Sequence, residues 1–300
     1  MKAKNPSTFV ISMTCFDEHD RFDPEGQARH FRRLVDAGIG VFVGGGGSGE
    51  AFTMSTPEYR DLMEVAKAEL KGKVPARVMG FEPRTAKQLI DEYELTQPYG
   101  LDAFQIYSLD AGHSGAPSMR MVETYLRDVL SVIKTPCVLS SHMFAHYLIP
   151  VPMIRALCDE YPQIIGLNIS TDNIGYVVAA REEMGDRVEI HVGGVGQALI
   201  ALAIGAQGHL SGEANLVPKL AKSVIDYYVA GDMEKCFDAY HQQMRIFNTM
   251  GQVGGVKEVL RYLGLPGGDP RKPRLPATEE QRNLIPQWVK QMRIREIEGL

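Results

Sequence analysis

The chain has 300 residues, of which 44% are hydrophobic and 23% charged, a balance that excludes a disordered, collagenous or coiled-coil protein. Its formal charge of −5, with no block of basic residues, excludes an electrostatic nucleic-acid binder. The longest apolar run, residues 198–206, is nine residues against the roughly 20 that a membrane span requires.

The opening MKAKNPSTFV is basic but lacks a long apolar stretch, so no secretory leader is expected. Short apolar runs then recur at 9–13, 41–43, 74–79, 103–107, 137–139, 164–169, 188–192 and 208–211. Near-continuous apolar strands are what a parallel sheet covered on both faces requires. The stretches between them have the helical period: Tyr59, Leu62, Met63, Ala66 and Leu70 share one helix face. Asp23-Pro24 and Thr56-Pro57 each place a capping oxygen before a proline. Gly38, Gly72, Gly100, Gly185, Gly205 and Gly231 each follow a helical run, where a left-handed cap is wanted. Eight strand–helix units fit an α/β fold, a (β/α)8 TIM barrel over residues 1–230, with a doubly wound open sheet as the rival from pattern alone. Residues 231–300 carry no strand signal. Helices are expected at 232–250, 256–263 and 278–294, a three-helix appendage interrupted by the breaker-rich run from Gly264 to Pro270. Cys15, Cys137, Cys158 and Cys236 show no C-x-x-C spacing and read as reduced thiols of a cytoplasmic protein.

Met13-Thr14-Cys15-Phe16-Asp17, Gly46-Gly47-Ser48-Gly49-Glu50, Ile164-Ile165-Gly166-Leu167, the run from Gly208 to Asn215, and Val256-Lys257 with Leu263-Gly264-Leu265-Pro266 and Arg274-Leu275-Pro276 together resemble the dihydrodipicolinate synthase / N-acetylneuraminate lyase superfamily. Met13-Thr14-Cys15-Phe16-Asp17 is similar to its T-P-F-D segment after the first strand. Gly46-Gly47-Ser48-Gly49-Glu50 with Thr53-Met54-Ser55 resembles its G-[ST]-T-G-E-x-x-x-L-[ST] loop after the second. Ile164-Ile165-Gly166-Leu167 matches its sixth strand, and Gly208 to Asn215 its eighth. Val256-Lys257, Leu263-Gly264-Leu265-Pro266 and Arg274-Leu275-Pro276 resemble its C-terminal motifs. The resemblance implies the barrel, three C-terminal helices, a homotetramer and keto-acid chemistry at the carboxyl ends of the strands. Typical members form a Schiff base on a sixth-strand lysine, which turns a carbonyl into an electron sink.

This chain departs from that pattern. Asn168 stands where the lysine belongs, and no lysine occurs between Lys134 and Lys219. An amide nitrogen, delocalised into its carbonyl, forms no imine. The family tyrosine that ends the fifth strand aligns with Ser140, and a family arginine aligns near Ala145. The first hydroxyl of the loop's pair is replaced by Gly47, while Ser48 keeps the second. The expectation is therefore neither a true dihydrodipicolinate synthase nor an ordinary neuraminate lyase.

The candidate catalytic set is Asn168 and Ser140, polarising a carbonyl or hydroxyl, with His142 or Tyr107 moving the proton. The candidate substrate-binding set is Gly47, Ser48, Gly49 and Glu50, with Gly193 and Leu210. Of these, Glu50 reads more as a brace of the loop than as a reacting group. His209 is expected to turn toward the helices, and Glu213 toward the site. No cofactor is expected. A divalent metal near Asp110, His113, His142 and His146 stands as an alternative electron sink, although no ligand spacing supports it. The functional expectation is a lyase of aldolase or hydratase type, acting on a small carboxylated keto- or hydroxy-acid without a lysine imine. The alternative is a non-catalytic barrel that binds a keto acid or sugar acid.

Overall fold

The structure, a computed structural model, describes residues 5–250 and 253–300. Residues 1–4 of the basic N-terminal segment lie outside the described residues. Eight parallel strands follow one another in chain order around a closed barrel, as the α/β pattern predicts: β1 (Ser7–Ile11), β2 (Gly40–Gly44), β3 (Ala76–Met79), β4 (Ala103–Ile106), β5 (Cys137–His142), β6 (Ile164–Ser170), β7 (Glu189–Gly193) and β8 (Gly208–Ser211). The helices between them are α1 (Pro24–Ala37), α2 (Thr56–Leu70), α3 (Ala86–Thr96), α4 (Met119–Val132), α5 (Val151–Glu160), α6 (Ile174–Met184) and α7 (Ala198–Ala203). After β8 come α8 (Pro218–Ala230), α9 (Met233–Met250), α10 (Val253–Tyr262), α11 (Glu279–Gln291) and α12 (Ile294–Glu298).

The contacts divide the chain into two compact units. One is Arg77–Leu210 with Asn5 and Pro6; the other is Ser7–Ala76 with Ser211–Leu300. The C-terminal helices thus group with β1, β2, α1 and α2.

Local chemistry explains the elements. All five residues of β2 are buried, as a strand covered on both faces requires. Helix α2 buries Tyr59, Leu62, Met63, Ala66 and Leu70, the face its period predicts. Asp23 caps α1 through the Gly26 amide. The cap of α2 falls one residue earlier than expected: Ser55 accepts from the Glu58 amide, and the Glu58 carboxylate returns to the Ser55 amide. That capping box satisfies two orphan donors where Thr56 alone satisfies one. The last expected helix is two, because Arg293 takes a left-handed turn (φ 52°) between α11 and α12.

In Arg77–Leu210, register sets the faces. Ser140 pairs with Asn168, and His142 with Ser170, between β5 and β6. Asn168 pairs with His191 between β6 and β7. The Asn168 amide reaches Gln105 on β4, two strands away, so these faces of β4 and β6 point into the barrel. Gly193 pairs with Leu210 between β7 and β8, so His209 takes the face opposite to Leu210, as expected.

Candidate active site

Two clusters form, one in each unit. In Arg77–Leu210 the cluster lies at the carboxyl ends of β4, β5 and β6. Asn168 is 5% exposed; its Nδ2 donates to Gln105 Oε1 at 2.5 Å, and its Oδ1 has no hydrogen-bond partner. The free atom of the amide is thus an acceptor, whereas the sequence suggested a donor. Ser140 is buried beside it, and its carbonyl accepts the Ser108 hydroxyl at 2.9 Å.

His142 is 3% exposed, and neither ring nitrogen has a hydrogen-bond partner. Its ring lies 4.6 Å from that of Tyr107 and 5.7 Å from that of Phe144. Burial pulls the imidazole down to about 4, so it is neutral at physiological pH. Tyr107 moves the other way: burial, with the Glu82 carboxylate nearby, raises its phenol well above the ordinary range. Tyr107 can therefore donate a hydrogen bond but supplies no phenolate base.

The segment after β5 is held from outside. Tyr176 on α6 donates to the Ile149 carbonyl at 2.6 Å and meets Ser141 Oγ at 2.8 Å, while Ser141 Oγ accepts from the Ile149 amide. Gln105, Ser141 and Tyr176 were missed from the sequence. The signal for Gln105 was available: it stands two residues before Tyr107, on the same face of a strand.

Gly193 has a structural explanation. A Cβ there would lie 1.9 Å from Ser170 Oγ and 2.8 Å from its Cβ, so the close packing of β7 on β6 favours glycine whether or not a ligand binds. Lys134, before β5, turns its ammonium to the Leu130 carbonyl on α4. Among the described residues, no three His, Cys, Asp or Glu side chains gather as a metal site, and Asp110, His113, His142 and His146 are not so assembled.

In Ser7–Ala76 and Ser211–Leu300 the second cluster is the loop after β2. Gly44 and Gly45 have φ of 87° and 82°, so the left-handed backbone sits there and not at Gly47 or Gly49. Gly49 is needed for closeness: a Cβ would stand 1.8 Å from the Gly44 carbonyl oxygen. Around Gly47 nothing lies within 4 Å of that position. Arg274 donates to the Gly46 and Gly47 carbonyls at 2.6 and 2.5 Å.

Glu50 is fully buried and does not line a ligand surface, which corrects its place among substrate-binding residues and agrees with its reading as a brace. Its carboxylate stands 2.6 Å from the Lys257 ammonium and accepts the Arg271 amide. Lys257 lies over the Phe16 ring and also donates to the Asp269 carbonyl. Beside the loop is a pocket of about 400 Å³ lined by Gly47, Ser48, Gly212, Glu213, Asn215 and Arg274. A wider groove of about 790 Å³ is rimmed by Asp17, Glu18, Asp20 and Asp269. Arg271 on that groove is already paired with Asp20 and Glu58, and no buried unpartnered polar atom marks it.

Residues 5–292 match the Dihydrodipicolinate synthetase family. The chain belongs to that family. Its relatives include a 4-hydroxy-tetrahydrodipicolinate synthase of Methanopyrus kandleri, 24% identical over 280 residues that cover 92% of each chain. A probable 5-dehydro-4-deoxyglucarate dehydratase of Allorhizobium ampelinum is 25% identical over 296 residues, 95% of each. The sialic acid aldolase of Ruminococcus gnavus superposes with a TM-score of 0.88 over 98% of each chain at 19% identity, a likeness of fold. The relatives matched in sequence thus include a synthase and a probable dehydratase. Among the described residues, no helix is long and apolar enough to cross a membrane.

Proposed function

We propose that this chain is a lyase of aldolase or hydratase type that acts on a small keto- or hydroxy-acid without a lysine imine, and that it is not a dihydrodipicolinate synthase. The observation that carries the reading is Asn168: an amide on β6, buried, with an unpartnered Oδ1. A buried acceptor left unmatched costs free energy, and a bound donor repays it.

In place of covalent activation, neutral groups share the charge that develops on the substrate oxygen. Ser140 and the Tyr107 phenol act as donors, and Asn168 Oδ1 holds a substrate hydroxyl or enol hydrogen. Such fixed donors in a dry site are worth several kcal/mol in a transition state. His142, held neutral, takes the proton. The loop of Gly47, Ser48 and Gly49 binds a carboxylate through its amides and the Ser48 hydroxyl. The open space around Gly47 supports that assignment, since no neighbour within the chain requires glycine there. A homotetramer and a cytoplasmic location complete the proposal; sedimentation of the purified protein checks the first.

The test is direct. Incubation with pyruvate and borohydride leaves the intact mass unchanged, whereas a reduced pyruvyl adduct would sink the imine-free route. Asn168→Ala keeps its melting temperature within a few degrees and loses about 100-fold in kcat, the order lost with one positioned polar contact in a dry active site. Unchanged turnover in the folded variant removes Asn168 from the site. A second reading, a barrel that binds such acids without turnover, is favoured by the low basicity of His142. It predicts ligand-induced stabilisation with no product from any keto or hydroxy acid.

A further inference from the structure

The pocket beside the glycine-rich loop holds one group with no part in the scheme above. Glu213 is 8% exposed, lines that pocket, and has no ion-pair partner among the described residues. The Ser211 hydroxyl donates to Glu213 Oε2 at 2.6 Å, and Ser211 Oγ accepts from Gln243 Nε2 at 3.2 Å and from the Ala214 amide. This relay spends the one Ser211 proton on Oε2, the Glu213 amide also reaches the carboxyl, and the two oxygens keep lone pairs beyond those bonds for a ligand.

The neighbouring polar side chains are already committed. Asn215 Oδ1 takes the Met13 amide and meets His30 Nε2, and its Nδ2 donates to Ile11 and Gly212. Arg274 is spent on the loop carbonyls. Ser48 and Glu213 therefore remain to meet a ligand. Gly212 leaves room between them, since a Cβ there would stand 3.0 Å from Ser48 Oγ.

We propose that Glu213 recognises a hydroxyl group of the ligand and makes this pocket select hydroxylated acids over plain keto acids. The inference rests on the assignment of the Ser48 loop as the carboxylate site. A ligand ammonium is the weaker match, because the Arg274 guanidinium lines the same pocket and opposes a second cation. Burial raises the Glu213 carboxyl, and a carboxyl oxygen in the pocket accepts a hydrogen bond from a ligand hydroxyl. The contact discriminates because a ligand without the hydroxyl leaves a buried polar group unmatched.

Calorimetric titration of the purified chain with D-gluconate, L-threonate, pyruvate, 2-ketobutyrate and 4-aminobutyrate tests the assignment. Gluconate or threonate binds at least tenfold tighter than the two keto acids. Glu213→Leu removes that margin and leaves pyruvate affinity within twofold, while Glu213→Gln retains most of it. Should the leucine variant melt early, Glu213→Ala reports the same ratio. The proposal is overturned if the variants weaken both classes equally, if the wild type shows no margin, if 4-aminobutyrate binds best, or if none of these acids binds. A pyruvyl adduct after borohydride would remove the imine-free route and leave the affinity ratio standing, so the two failures are distinguishable.

Discussion

At the scale of the residue, His142 is the most informative side chain of the Arg77–Leu210 cluster. A histidine is usually invoked near neutrality because its free pKa is about 6.5. Here burial between Tyr107 and Phe144 keeps it neutral down to about 4. If it accepts the proton in catalysis, the acid limb of log kcat/KM falls near pH 4 rather than near 6.5, and His142→Gln abolishes that limb. A limb at 6.5 that survives the substitution assigns the base elsewhere. The two loop glycines divide in the same way. Gly49→Ala drives a methyl into the Gly44 carbonyl and destabilises by about 1–3 kcal/mol, measured as a lowered urea midpoint. Gly47→Ala leaves the midpoint unchanged, since nothing lies within 4 Å of the added methyl, and weakens ligand binding if the proposed carboxylate site lies there.

At the scale of the element, the loop after β2 is held by α10 and by the segment that follows it. Glu50 and Lys257 are 0% and 1% exposed at the side chain and 2.6 Å apart. Two charges so deeply buried gain little over an apolar pair, but one left alone is costly. Glu50→Gln or Lys257→Met therefore destabilises by about 3–5 kcal/mol, and the double variant recovers part of that loss; a double-mutant cycle in urea measures the coupling. The same elements show how far local pattern reaches. The period of Tyr59 to Leu70 found the buried face of α2, and the six glycines after helical runs all have positive φ. The partners of Glu50 were not legible, since Lys257 and Arg271 lie more than 200 residues away in the chain.

At the scale of the whole molecule, four buried histidines set the response to acid. Burial lowers His30 and His191 to about 3 and His142 and His209 to about 4. Their folded values lie below the unfolded value near 6.5, so the unfolded chain binds more protons below that pH. The stability they contribute is complete above about pH 6.5 and is lost progressively as pH falls toward 4 and then 3. Glu213 and Glu298, raised by burial, act in the opposite sense and are fewer. The urea midpoint therefore declines between pH 7 and 4.5, and His209→Phe, which needs no proton and fills much the same space, declines less steeply. Equal slopes in the two proteins would show that His209 is not protonated on unfolding in this range.

The eight strands, their helices and the strand position of Asn168 were written in short-range pattern, because burial on both faces imposes apolar runs and helix ends impose caps over a few residues. The family resemblance added the loop of Gly46 to Glu50 and the idea that an amide replaces an amine. Tertiary structure alone decided which atom of Asn168 is free, since that depends on Gln105 two strands away. It also decided that His142 is neutral, through the rings packed around it, and that Glu50 is a brace, through an ion pair closed across the chain. Electrostatics and hydrogen-bond satisfaction depend on distance in space, and a linear pattern carries only distance along the chain.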